Sequence, residues 1–183
     1  MFEEVNDQEK LIIFNNIWTK CWLEKNFELE YSEEISRRFV IIYEGEYVGT
    51  VESKKFYNEI NDVFPFQTED HELNLTSSTV YEIDKVSILP EYRGIQILKC
   101  IISLLYDFAI HNNVTHYIAL TEPRLFTALV KYYKFPINRL GDNFFFKGDY
   151  VVPSSIKCKE VFDNTVKHSR WDILKTRSLT LTT

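Results

Sequence analysis

The stretch of this 183-residue chain best equipped for chemistry is Tyr81-Glu82-Ile83-Asp84-Lys85-Val86-Ser87-Ile88-Leu89-Pro90-Glu91-Tyr92-Arg93-Gly94. Its first half reads as a strand that Pro90 stops, and an apolar-striped helix follows Gly94. A turn that feeds a helix start presents backbone N–H groups with no partner inside the helix, together with the positive end of the helix dipole. Arg93 adds a cation there and Gly94 allows close approach, so the turn can receive a phosphate; the same pattern also serves as a plain turn. Glu82 and Lys85 bring ionisable groups to the strand just before it. Residues 82 and 85 of a regular strand face opposite sides, so one site can use both only where a bulge or splay intervenes.

The elements that must hold this segment follow from hydrophobic period. Residues 7–25 read as a helix with Leu11, Phe14, Trp18, Cys21 and Trp22 recurring on one side. Residues 38–55 hold two β-rich runs about Glu44-Gly45-Glu46, a hairpin. Residues 57–78 are polar with an apolar knot at Val63-Phe64-Pro65-Phe66, and are expected to be loop. Thr79–Leu89 is a third strand, and the helix after Gly94 runs from about Ile95 to His111 until Asn112-Asn113 ends it. A strand at 114–120, a helix from Pro123 to Lys134, strands at 143–146 and 150–152 and a helix near 155–165 complete the order. We expect an α/β (α+β) domain over residues 1–155, followed over 156–183 by a helix and a polar tail.

Composition narrows the function. The chain is 45% hydrophobic and 15% aromatic, enough for a substantial core. No apolar run approaches the ~20 residues that span a bilayer, and the start Met1-Phe2-Glu3-Glu4 lacks a basic signal region, so a cytoplasmic protein is expected. Three scattered cysteines and four histidines show no ligand spacing, so no metal is expected. A net charge of −6 argues against nucleic acid. The charge is uneven: residues 1–34 sum to −6 and residues 85–147 to +4. The basic segment is either ordinary surface or a positive mouth for an anionic donor, a phosphorylated cofactor or an acidic carrier protein. Trp18, Trp22, Phe56 and Phe64 either line an acyl or acceptor pocket or belong to the core.

The run Ile88-Leu89-Pro90-Glu91-Tyr92-Arg93-Gly94 before an apolar-striped helix resembles motif A of the GNAT acyltransferases. That resemblance implies a mixed central sheet with a V-shaped splay, and a turn at Arg93, Gly94, Ile95, Gln96, Ile97 and Leu98 that binds the pyrophosphate of acetyl-CoA or acyl-CoA. It also implies backbone N–H groups near Val86, Ser87 and Ile88 offered to the donor. The family expects small residues where Gln96 and Leu98 stand. Across residues 27–153 the order of elements looks like the acyl-homoserine-lactone synthases and N-acyl amino acid synthases. The stretches that carry it are Tyr47-Val48-Gly49-Thr50, Asn61-Asp62-Val63-Phe64-Pro65, Glu82-Ile83-Asp84-Lys85, and Arg139-Leu140-Gly141 through Gly148 to Val152-Pro153. That branch commonly takes its acyl group from an acyl carrier protein.

By this resemblance Glu82 stands at a catalytic glutamate, Lys85 at an arginine, and Glu52 where an arginine is expected. Glu28 and Glu30 match the family's acidic pair only loosely, and a homoserine lactone product is not implied. The implied activity moves an acyl or acetyl group to a small-molecule amine. No Cys–His or Ser–His pairing stands out, so direct attack is expected, with Glu82 as base through water and Tyr132, or its neighbour Tyr133, as general acid. Trp22, Phe64 and Lys85 are the expected substrate contacts. The competing reading is a GNAT-like fold without catalysis, serving as a binding or regulatory module, which Glu52, Gln96 and Leu98 favour.

Overall fold

The computed structural model describes residues 1–31, 35–56, 73 and 79–167, so the knot containing Phe64 and the polar end lie outside the described residues. In chain order the elements are β1 (Phe2–Glu4), α1 (Gln8–Glu24), β2 (Ser36–Tyr43), β3 (Glu46–Lys55), β4 (Val80–Ile88), a single 3-10 turn (Pro90–Tyr92), α2 (Ile95–Asn112), β5 (His116–Thr121), α3 (Pro123–Lys131), β6 (Ile137–Arg139), β7 (Phe144–Phe146), β8 (Asp149–Lys157) and α4 (Cys158–Lys167). The strands lie in the order β1-β2-β3-β4-β5-β8-β6, with β7 paired to β8 off this path. β4 and β5 run parallel and the other neighbours antiparallel.

The two long helices cover opposite faces of the sheet. Successive strand residues alternate in facing. Val40 packs with Phe14 and Trp18 of α1, while Phe39 and Ile41 on either side of it pack with Ile97, Ile101, Leu104 and Phe108 of α2. Trp18 and Phe14 are wholly buried, and truncating a core aromatic of this kind costs about 3–5 kcal/mol. Local signals set the helix ends. The Asp7 side chain accepts from the Lys10 N–H at 2.8 Å at the start of α1. Asn113 closes α2 in the left-handed conformation at φ 54°.

Both hairpins turn on two residues of positive φ, Glu44-Gly45 and Lys147-Gly148, the type I′ geometry whose twist matches the strands. Gly49 serves a different need. A Cβ there would stand 2.7 Å from the Ser87 carbonyl oxygen, so glycine lets β3 and β4 approach closely.

Several boundaries differ from expectation. The three-residue strands β1 and β6 carry no alternation of their own and exist through pairing with β2 and β8. β8 extends through Pro153 to Lys157, where a stop at 152 was expected. The Pro153 carbonyl faces Leu140, just beyond the end of β6. The proline therefore lies where pairing on that side has run out and its missing N–H is tolerated. The boundary at 155 accordingly falls inside a strand, and Cys158 and Val161 of α4 belong to the main core. α3 ends at Lys131, three residues early.

Candidate functional site

β4 and β5 pair at only three positions, Val80 with His116, Tyr81 with Tyr117 and Glu82 with Ile118. Beyond Glu82 they part. β4 follows β3 to Ile88, and β5 follows β8 to Thr121. Among the described residues two facing edges are thus left with backbone donors and acceptors that a ligand can pair. The register of β4 on β3 shifts from Ser87 opposite Thr50 to Asp84 opposite Glu52, which inserts one extra residue into β4. Lys85 takes φ 46° there, and Val86 is 38% exposed beside the cleft.

This bulge brings Lys85 to the face that carries Glu82 and Asp84, beneath α1. The sequence condition for a shared site is met, but the partners differ. Lys85 Nζ contacts Glu52, lies 3.4 Å from Asp84 Oδ2 and sits 5.5 Å from the Trp18 ring centre. Glu52 is 0% exposed and also accepts from Arg38 Nε at 2.7 Å and Ser36 Oγ at 2.5 Å. Burial pushes the Glu52 carboxyl up, but hydrogen bonds from Lys85 and Ser36, the Lys85 charge and a hydrogen bond from Arg38 together hold it below the usual range. The charge at position 52 is therefore answered by buried Lys85 and half-buried Arg38. Glu82, 8% exposed, pairs instead with Lys54 at 3.4 Å. Lys54, Arg38 and Asp84 were missed in the sequence. Their signal was alternation along β3 and β4, and it becomes readable only once the register across the intervening segment is known.

The turn beyond β4 is open. Gly94 and Gln96 are exposed, and a Cβ at Gly94 meets nothing within 4 Å. Leu98 packs into the main core, so neither bulky side chain fills the turn from within. No side chain among the described residues caps α2, which leaves the N–H groups of Ile95, Gln96 and Ile97 without a side-chain partner. Ser87 is buried opposite Thr50, and the Ile88 carbonyl accepts from Arg93 Nε at 3.1 Å.

A parallel strand pair that opens at its carboxyl end, with an uncapped helix start beyond it, is what the resemblance implied. The acetyltransferase (GNAT) family model matches residues 8–135. The chain belongs to the GNAT family. It is by that membership an acyltransferase. Among solved structures with this fold are the acyl-homoserine-lactone synthase LasI (TM-score 0.67, 12% identity, 86% of this chain and 89% of that one). Another is FeeM, an N-acyl amino acid synthase from uncultured soil microbes (0.68, 7%, 87% and 91%). A third is BjaI, a CoA-dependent acyl-homoserine-lactone synthase solved with SAM and isopentyl-CoA (0.65, 9%, 92% and 90%). No curated protein matches the sequence.

Within the GNAT frame the remaining expected residues fall as follows. Tyr132 caps the end of α3 and is 74% exposed, whereas Tyr133 is partly buried against the main core. Trp22 is partly buried and packs edge-on to Trp18 at 5.3 Å and tilted on Phe27 at 5.5 Å, so it belongs to an aromatic cluster at the end of α1. Phe64 lies outside the described residues. Burial pushes the Cys158 thiol up to about 12 and raises Cys21 as well, which makes both poor nucleophiles near neutrality. Among the described residues no group of acids, histidines and cysteines is placed to hold a metal, and no helix is long and apolar enough to cross a membrane.

Proposed function

We propose that this protein transfers an acyl group from a thioester donor, acyl-CoA or an acylated carrier protein, to a small amine by direct attack. The observation that carries the reading is the parting of β4 from β5 at Glu82, with the open turn of Arg93 and Gly94 beyond it. Bound there, the donor supplies an activated thioester. The N–H groups of Ile95, Gln96 and Ile97, aided by Arg93, fit its phosphates. The free edge of β4 around Val86 offers N–H groups to the carbonyl oxygen as it gains charge. The BjaI complex with isopentyl-CoA supports a CoA-type donor on this fold.

Glu82, at the vertex of the opening, takes the amine proton through water. Lys54 Nζ lies beside it at 3.4 Å. The amine nitrogen bonds to the carbonyl carbon, the C–S bond breaks, and the thiolate takes a proton from a tyrosine. Tyr133, the partly buried member of the pair, suits a site that excludes water better than exposed Tyr132 does. The inactive-module reading draws on Gln96, Leu98 and a reversed charge at Glu52; the pairing of Glu52 with Lys85 and Arg38 gives that carboxylate a structural role compatible with the active reading.

The test is thiol release from acetyl-CoA, a long-chain acyl-CoA and an acyl carrier protein, each with a panel of amines. Release with one donor, dependent on an amine, is expected. Silence with all three donors, with no thermal shift from CoA, would leave a binding module.

A further inference from the structure

Arg93 supplies the side-chain charge of the donor turn, and a carboxylate from within the chain already holds it. Its Nη1 and Nη2 donate to the two oxygens of Glu24 at 2.9 and 2.6 Å. A guanidinium fork uses the same pair of parallel bonds to grip a carboxylate or a phosphate. Glu24 closes α1, and two further contacts tie that helix to the turn. These are Lys20 to Glu91 at 3.9 Å and the Cys21 thiol to the Ile88 carbonyl at 3.4 Å.

We propose that Glu24 is an internal competitor for the donor phosphate, a latch on Arg93 that sets donor affinity; this rests on the donor site proposed above. The side chains of Arg93 and Glu24 are 39% and 41% exposed, so both are within reach of an incoming ligand. An exposed pair of this kind shifts an equilibrium by only about two- to fivefold, weak enough for a phosphate to displace. Displacement releases Glu24, the last residue of α1, while the Lys20–Glu91 and Cys21–Ile88 contacts stay in place.

The experiment is calorimetric titration of the full chain with CoA, alongside tryptophan fluorescence. Glu24→Gln should tighten CoA binding about two- to fivefold. Glu91→Gln, which removes an equal charge from the same turn without touching Arg93, should change it by less than half as much. In an Arg93→Gln background, Glu24→Gln should have no further effect. Equal tightening by the two carboxylate variants, or none by Glu24→Gln, would overturn the latch while leaving the donor site standing. Absence of CoA binding in the wild type and every variant would overturn the latch, and thiol release from an acyl carrier protein would then decide whether the donor site stands.

Discussion

Replacing Lys85 by methionine removes the charge that answers Glu52 while keeping most of the side-chain volume. Glu52 is wholly buried and among the described residues would retain Arg38 Nε at 2.7 Å and Ser36 Oγ at 2.5 Å. Deleting one partner of a buried ion pair costs about 3–5 kcal/mol, and the surviving Arg38 contact places the expectation at about 3 kcal/mol. In a chain of this size each 1 kcal/mol moves the melting midpoint by about 2–4 °C, so the variant should melt roughly 6–12 °C lower. The double variant Glu52→Gln/Lys85→Met should recover most of that loss, because a neutral amide still accepts from Ser36 and Arg38.

Acidity adds a signed check. The Glu52 carboxyl is held below its usual range in the folded chain. Its pairing therefore contributes in full above the unfolded value of about 4.3 and is lost as pH falls through the lower folded value. The gap between wild type and Lys85→Met should shrink below about pH 4. Urea unfolding followed by tryptophan fluorescence at pH 7 and under acid conditions measures both effects. A loss under about 1 kcal/mol, a double variant no better than the single one, or a gap that widens on acidification would refute the reasoning.

Four further substitutions test the roles assigned above. Glu82→Gln should cut turnover about 10²-fold or more with folding intact, and an unchanged thiol-release rate removes it as the base. Tyr133→Phe should slow turnover by about 10²-fold and Tyr132→Phe far less; a larger effect at Tyr132 reverses the assignment. Gly49→Ala should destabilise the chain by about 1–3 kcal/mol in thermal unfolding, because its Cβ meets backbone 2.7 Å away, and wild-type stability would show that β3 and β4 can separate freely.

What the residues determine alone is local. Hydrophobic period marks α1, α2 and the central strands. Asp7 and Asn113 mark helix ends, paired positive-φ residues mark the hairpins, and Pro90 with Arg93-Gly94 marks the turn. Each of these signals is an energy settled within a few residues of chain. The tertiary structure decided the rest. β1 and β6 are three residues long and gain order only from a neighbour. The bulge at Lys85, the pairing of Glu82 with Lys54 and the burial of Glu52 depend on one register between two strands separated by a long connection. The grip of Glu24 on Arg93 joins residues 69 positions apart, and exists because α1 docks across β4. Contacts of that range follow from how whole elements pack, and no spacing along the chain encodes them.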